Sequence, residues 1–263
     1  MSMTVNEVTA ASRSVTDRDR AQVRFWLYAI CVLVFAMVIV GGATRLTDSG
    51  LSITEWQPLL GAIPPLNAQD WQLAFEKYKL IPEYQLINKG MSLAEFKFIY
   101  WWEWAHRLLG RFIGVAFFVP MVAFWATGRI EPWLKPRLLV GLALGGLQGF
   151  VGWWMVASGL VDQVDVSQYR LATHLTLALF IFAYLFWIAR RLSPLPEPEI
   201  QEQERLAGLG KLVLFLVFVQ MFLGGLVAGL NAGLTFNTWP LMDGQFIPRG
   251  MLAIQPIWLN FFD

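Results

Sequence analysis

One apolar stretch of the sequence begins with four side chains that could do chemistry. The segment EFKFIYWWEWAHRLLGRFIG, residues 95–114, contains Glu103, His106, Arg107 and Arg111. Glu103 and His106 are three residues apart, so on a helix they project from one face. Ionisable groups in an apolar helix that crosses a membrane indicate a functional site. A carboxylate beside an imidazole could accept protons or stabilise positive charge during a reaction.

The second histidine of the chain suggests what the first one does. The sequence contains 2 histidines, and His174, in YRLATHLTLALF, also begins an apolar stretch. His174 lies four residues after Arg170, about 6 Å along a helix, and His106 is predicted at a similar depth. Neutral imidazole is the usual axial ligand of haem iron, and two histidines on separate helices can bind one iron from opposite sides. We predict a bis-histidine haem site in which Arg107 and Arg111 pair with the propionates.

Each of these residues also has an ordinary structural interpretation. A histidine at a helix end is often a hydrogen-bonded interface residue, Glu103 and Arg107 have the spacing of a helix ion pair, and Arg111 could reach lipid phosphates. Three glycines on one face of a nearby apolar run either leave room for a flat macrocycle or only allow close helix packing. They are Gly146, Gly149 and Gly152.

Composition places these residues in a membrane. The chain of 263 residues is 56% hydrophobic and 15% charged, whereas soluble domains have roughly 25% charged residues. Five runs have the length of a membrane-spanning helix: 25–44, 112–128, 138–161, 171–189 and 212–237. We predict an all-α polytopic membrane protein, with membrane lipid as a partner and no nucleic acid. The single cysteine, Cys31, excludes an intrachain disulfide.

The distribution of basic residues predicts the orientation. Three connecting regions on one side of the alternating spans are basic, which places that side in the cytoplasm: Arg13, Arg18, Arg20 and Arg24; Arg129, Lys135 and Arg137; Arg190, Arg191, Arg205 and Lys211. We expect a disordered cytoplasmic tail at 1–20, a long outer loop at 45–97 and a cytoplasmic linker at 192–210. Within the outer loop, AQDWQLAFEKYKL has helical apolar spacing and predicts a short helix on the membrane surface. Its apolar residues are Trp71, Leu73, Ala74 and Tyr78.

An internal repeat connects the first span with the last. GGATRLTDSGLSITEWQPLLG, residues 41–61, aligns without gaps on GGLVAGLNAGLTFNTWPLMDG, residues 224–244. The repeat predicts a four-helix bundle at 21–191, followed at 211–263 by the start of a second, pseudo-symmetric bundle. A full second unit needs three more spans, so we expect a C-terminally incomplete chain.

Five motifs of the sequence belong together: GGATRLTDSGLSITEW, EFKFIYWWEWAHRLLGR, GLQGFVGWWMVASGL, ATHLTLAL and NTWPLMDG. In combination they resemble the haem A synthase family, of the branch found in proteobacteria and mitochondria. The resemblance implies eight spans in two halves and oxidation of a porphyrin methyl group of haem O to a formyl group, with water as the oxygen source. It implies that His106 and His174 bind the substrate haem and that Glu103 is essential. It also implies a haem b in the second half, whose ligands have no counterpart here.

The resemblance also implies a cellular setting in cytochrome oxidase cofactor biosynthesis. We expect a multi-pass protein of the inner membrane with a cytoplasmic N-terminus. Its partners would be haem O, a haem O synthase, an electron acceptor such as quinone and, as a homo-oligomer, further copies of the chain. The chain could bind haem without turnover. The alternative is a bis-histidine electron-transfer protein of the cytochrome b type, and absence of haem would favour a transporter or assembly scaffold.

Overall fold

The computed structural model describes residues 14–57, 60–161, 163–194, 200–235, 237–242 and 244–261, and no β-strand occurs among them. Its helices are α1 (Asp17–Leu46), α2 (Ala68–Tyr78), α3 (Pro82–Leu86), α4 (Leu93–Ala126), α5 (Lys135–Gly159), α6 (Gln168–Arg191) and α7 (Ile200–Gly229). Five of them are long and apolar enough to cross a membrane: α1, α4, α5, α6 and the part of α7 from Leu206 to Gly229. The prediction of an all-α polytopic membrane protein with five spans is confirmed.

The first helix starts earlier than the sequence analysis predicted. Thr16 caps α1: its hydroxyl accepts a hydrogen bond from the Asp19 amide at 3.2 Å, and the Asp19 carboxylate accepts one from the Thr16 amide at 3.0 Å. Because this reciprocal cap stabilises the first turn, the expected disorder up to residue 20 is wrong for residues 17–20. Residues 1–13 lie outside the described part of the chain. The predicted linker 192–210 is likewise partly helical, since α7 begins at Ile200.

The helix that carries Glu103 and His106 also begins early. Ser92 and Glu95 form a second reciprocal cap, in which the Glu95 carboxylate accepts a hydrogen bond from the Ser92 amide at 2.7 Å. From there α4 continues without interruption through Pro120 to Ala126. The predicted span 112–128 therefore starts too late, and the loop before it ends at Ser92 rather than at residue 97. His106 lies well inside a long helix rather than at its start.

The helices alternate in direction, and one end of the bundle holds the start of α1. There the Arg20 guanidinium pairs with Glu131, between α4 and α5, at 2.7 Å. Arg24 donates a hydrogen bond to the carbonyl oxygen of Leu192, after α6, at 3.0 Å. The start of α1, the α4–α5 turn and the end of α6 therefore share one end, as the loop charges predicted.

The opposite end holds the end of α1, the α5–α6 loop and the end of α7. Arg45 of α1 pairs with Asp165 at 3.4 Å and donates a hydrogen bond to Asn231 Oδ1, after α7, at 2.6 Å. The Asn231 amide in turn donates to Asp165 Oδ2 at 3.1 Å. One polar network thus joins three connecting regions at this end.

Buried apolar residues form two separate cores, one near each end of the bundle. The tail-side core comprises Val23, Trp26, Leu27, Ile30, Cys31, Val34, Phe117, Met121, Ile130, Leu134, Leu138, Ile181, Leu185, Ile188, Ala189 and Leu192. The loop-side core comprises Leu51, Trp71, Phe75, Tyr78, Ile81, Phe96, Ile99 and Tyr100. In α4 the sequence position of His106 falls between the two sets, so the histidine belongs to the layer that separates them.

The short helix predicted in the loop is present as α2, and it packs on α4. Phe75 of α2 stacks on Phe96 with ring centroids 4.9 Å apart, and Trp71 meets Tyr100 edge to face at 4.9 Å. Leu73, assigned to the apolar face from the sequence, is 55% exposed, and Phe75 is buried in its place. Burial of aromatic rings against α4 stabilises α2, so α2 covers the first turns of α4, and its position at the membrane surface stays a prediction.

Candidate functional site

Glu103 is a buried carboxylate that fastens α4 to the loop after α1. Glu103 is 2% exposed. Oε2 accepts hydrogen bonds from the Ser52 hydroxyl and the Ile53 amide, both at 2.7 Å, and Oε1 accepts one from Arg107 Nη2 at 2.5 Å. Three donors on one buried carboxylate, one of them charged, hold it in a single position.

The two arginines of the motif point to the same loop. Arg107 also donates to the carbonyl oxygens of Ile53 at 2.9 Å and Glu55 at 3.2 Å. Arg111 Nη2 donates to the carbonyl oxygen of Gln57 at 3.1 Å. The helix ion pair of the ordinary interpretation is therefore present, and both guanidinium groups hold the loop that lies over Glu103. Their pairing with propionates remains a prediction.

His106 lies against a glycine of the neighbouring helix. A Cβ atom added at Gly41 of α1 would be 3.2 Å from His106 Nε2, which is closer than side chains normally pack. Gly41 therefore allows the imidazole to lie directly on the backbone of α1. The sequence analysis did not assign this role to Gly41, although it noted the residue in the repeat.

His174 has the same kind of support from another helix. A Cβ atom added at Gly152 of α5 would be 2.9 Å from His174 Cε1. Gln148, one turn earlier on α5, places its Nε2 3.2 Å from Nδ1 of the ring and 3.1 Å from the carbonyl oxygen of His174. Both α4 and α6 pack on α1 and on α5, so the two imidazoles belong to one four-helix bundle.

The residues around the pair suit a flat aromatic ligand such as a porphyrin. The imidazoles come from α4 and α6, and each lies on a glycine rather than on a bulky side chain. Gly146 and Gly149 are exposed, as is their neighbour Phe150, so the structure does not place these two glycines beside the histidines. Gln148 Oε1 is buried and has no hydrogen-bond partner among the described residues. Two imidazoles, each on a glycine, match the donor set of a six-coordinate haem.

Another buried acid lies near this site, and the sequence analysis missed it. Glu83 of α3 is 6% exposed. Burial raises its pKa to about 8, and repulsion from Glu103, Asp165 and Asp48 adds to the effect. The surrounding sequence, IPEYQ, resembles an exposed turn, so nothing in the pattern identified Glu83. Gln148 could have been found, because it is a polar side chain inside a predicted spanning run.

The chain is similar to known proteins along nearly its whole length. The family model described as cytochrome oxidase assembly protein, COX15-CtaA, matches residues 24–263. The Heme A synthase of Mesorhizobium japonicum is 58% identical over 247 residues, which cover 94% of this chain and 67% of that protein. For the Heme A synthase of Agrobacterium fabrum the identity is 55%, covering 98% of this chain and 71% of the relative. For that of Brucella abortus it is 59%, covering 95% and 69%.

No solved structure matches the chain. The family model covers most of the sequence, including both histidines and Glu103. The chain therefore belongs to the COX15-CtaA family of cytochrome oxidase assembly proteins, and it is similar along nearly its whole length to Heme A synthases.

Proposed function

We propose that this protein is an oxidoreductase of haem A biosynthesis, which oxidises a porphyrin methyl group of haem O to a formyl group. The substrate haem binds between His106 and His174. One observation carries the proposal: the only two histidines of the sequence lie on α4 and α6 of one four-helix bundle, each on a glycine, with a buried carboxylate one helical turn from His106. Similarity to Heme A synthases supports haem O as the substrate.

Glu103 is the proposed catalytic residue. Conversion of a methyl group to a formyl group with water as the oxygen source releases protons and electrons. A carboxylate on the same helix face as the iron ligand can accept those protons and stabilise positive charge that develops on the substrate. The hydrogen bonds from Ser52 and the Ile53 amide hold its oxygens in place before the substrate arrives. The electrons would pass to an acceptor such as a quinone.

Binding and turnover are separable for this chain. Both histidines lie in the first four-helix unit, so the sequence supplies ligands for one bis-histidine haem. The ligands of the haem b expected in the family's second half have no counterpart in it. We therefore expect binding of haem O at the first site whether or not the chain completes the oxidation.

The charge distribution supports a cytoplasmic N-terminus in the inner membrane. The end of the bundle with the start of α1 carries Arg20 and Arg24, and basic residues follow in the α4–α5 turn and at the end of α6. Positive residues in short loops remain on the cytoplasmic side. Glu103 and the loop-side core would then lie at the outer face, where the released protons can reach water.

Haem extraction from the purified protein tests the activity. The chain is expressed in cells that make haem O, and the extracted haems are separated by chromatography and identified by mass. More haem A in the extract with the chain than in an extract of cells without it supports the proposal. We expect Glu103→Gln to abolish that excess. The matched control is Glu76→Gln, in an exposed carboxylate of α2.

Three results would count against parts of the proposal. Haem A at the wild-type level in Glu103→Gln contradicts the catalytic role of Glu103. Recovery of haem O or haem b without haem A would mean binding without turnover. A haem b that persists and exchanges electrons with quinone would favour the electron-transfer alternative.

A further inference from the structure

Gln148 is a polar side chain in an otherwise apolar part of α5, and it lies against His174. Its Nε2 is 3.2 Å from Nδ1 and 3.4 Å from Nε2 of the imidazole, so the amide faces the edge of the ring between the two nitrogens. The same Nε2 donates a hydrogen bond to the carbonyl oxygen of His174 at 3.1 Å. Its Oε1 is buried and accepts no hydrogen bond from the described residues.

An unpaired buried acceptor needs a physical reason, because leaving it without a hydrogen bond destabilises the folded state. A histidine that binds metal through one ring nitrogen almost always donates the N–H of the other to an acceptor, which fixes the tautomer and increases the basicity of the ligand. When Nε2 of His174 binds iron, Nδ1 carries a proton and requires such an acceptor. Rotation of the Gln148 amide would bring Oε1 to Nδ1.

The neighbouring polar groups of α6 are already engaged with backbone. The Thr173 hydroxyl donates to the carbonyl oxygen of Tyr169, and the Thr176 hydroxyl donates to that of Ala172, both at 2.7 Å. Arg170 donates to the carbonyl oxygen of Trp154 at 2.7 Å. Among the described residues, Gln148 is the side chain that contacts the ring of His174 at hydrogen-bond distance.

We propose that Gln148 is a positioning residue for His174, and that its Oε1 accepts the Nδ1 proton of that histidine when Nε2 binds the substrate haem. This inference rests on the proposed function, because it requires haem at the site. It assigns different surroundings to the two ligands: His174 has a hydrogen-bond partner on α5, whereas no described side chain hydrogen-bonds the ring of His106. The reduction potential of the bound haem is then set in part from α5.

The test uses the full chain loaded with haem b, and it measures the midpoint potential and the electron paramagnetic resonance spectrum. Gln148→Glu offers a stronger acceptor, which makes His174 more basic and should lower the midpoint potential. Gln148→Leu removes the acceptor and should raise it. The control is Gln220→Leu, which removes an exposed glutamine from the spanning helix α7 and should change neither measurement.

The outcomes separate this inference from the function on which it rests. Opposite shifts in the two Gln148 variants support it, as does loss of haem from Gln148→Leu with retention in Gln148→Glu. Midpoint potentials equal to wild type, shifts in one direction, or equal loss of haem from both variants would overturn it. Absence of haem from the wild-type protein would instead overturn the proposed binding function itself.

Discussion

The end of α1 and the end of α7 are two copies of one structural unit in different surroundings. Both helices have 30 residues, and their bounds differ by 183 at each end, the offset of the sequence repeat. The amide of Thr47 donates to the Ala43 carbonyl at 3.0 Å, and at the corresponding position the amide of Leu230 donates to that of Leu226 at 3.1 Å. We call residues 41–57 the first turn copy and residues 224–240 the second turn copy.

The same backbone conformation follows both helices. Asp48 has φ 47° and the corresponding Asn231 has φ 52°. This left-handed conformation is uncommon outside glycine, and aspartate and asparagine are the residues that tolerate it best. Helix length, the last hydrogen bonds and the turn are therefore determined locally, by the residues that the copies share.

The side chains that follow the helices differ because α4 covers the loop of the first turn copy, whereas most described residues after α7 in the second turn copy are exposed. Trp56 is 52% exposed, whereas the corresponding Trp239 is 92% exposed. In the first copy Ser49, Leu51 and Ser52 are buried, and Glu103 of α4 bonds Ser52 and Ile53. The comparison shows that the repeat forms the turn, whereas contact with α4 converts the turn into part of a site.

Removing the carboxylate should have the largest effect on the first turn copy. Glu103→Ala leaves the Arg107 guanidinium without its counter-charge and two loop donors without their acceptor. Breaking a buried ion pair in this way costs about 3–5 kcal/mol, which we expect as a loss of free energy of unfolding in detergent. Proteolysis within residues 50–57 should also accelerate. Glu76→Ala, an exposed control, should cost less than about 1 kcal/mol, and an equal loss in both variants would disprove the special role of Glu103.

Ionisation of Glu83 should destabilise the segment around α3, in which Glu83 is buried. Its pKa is raised to about 8, so this group contributes stability that is present below its ordinary pKa of 4.5 and lost as the pH rises through 8. Glu83→Gln cannot ionise. We expect the variant to gain stability over wild type on the order of 4 kcal/mol between about pH 5 and pH 9. A difference in unfolding free energy between Glu83→Gln and wild type that does not depend on pH would contradict the burial of Glu83.

The second turn copy depends on a close approach between α6 and α7. A Cβ atom added at Gly229 would be 2.6 Å from Gln168 Cα, and one added at Gly225 would be 2.8 Å from Ala172 Cα. Gly229→Ala should therefore force the helices apart and cost about 1–3 kcal/mol. Gly224→Ala, which meets no described atom within 4 Å, should be neutral or slightly stabilising because alanine favours helix. Equal unfolding free energies of the two variants would show that α7 does not pack as described.

One matched pair of glycines compares the two copies directly. Gly41 and Gly224 occupy the same repeat position, but only Gly41 lies against a histidine. Gly41→Ala should displace the His106 ring and weaken haem binding about tenfold, equivalent to about 1.4 kcal/mol. The measurement is a haem titration followed by absorbance. An unchanged haem affinity in Gly41→Ala would contradict a role for Gly41 at the histidine. An equal loss of haem affinity in Gly224→Ala would show that the two repeat positions do not differ in this role.

Exchanging the turn residues should have the smallest effect. Asp48→Asn gives the first copy the residue of the second, keeps tolerance for the left-handed conformation and loses the exposed ion pair with Arg45 at 3.2 Å. Such pairs contribute less than about 1 kcal/mol, and the unfolding free energy should change by no more than that. A loss several times larger would mean that the turn is not determined locally.

Local patterns in the sequence predicted the features that local interactions determine. Apolar runs identified the five spans, and the spacing of glycine and tryptophan identified the repeat whose helix bounds agree with it. The early start of α4 was missed because the cap formed by Ser92 and Glu95 precedes a polar first turn. The histidines and Glu103 were identifiable as ionisable groups in apolar surroundings.

Contacts between distant segments could not be predicted in the same way. Two of the three partners of Glu103, Ser52 and Ile53, are about fifty residues away and have no unusual pattern of their own. The burial of Glu83 depends on how α2 and α3 pack on α4, which periodicity does not show. Gly41 and Gly152 acquire their roles only when a particular histidine ring lies against each of them.

The most direct test of the account is the spectrum of the purified chain loaded with haem O, compared with His106→Ala and His174→Ala. The chain has no other histidine, so a low-spin six-coordinate spectrum can be assigned to this pair. The account predicts such a spectrum in the wild type and its loss in each variant while the protein stays folded. A low-spin bis-histidine spectrum that survives either substitution, or its absence from the folded wild type, would contradict a haem site between α4 and α6.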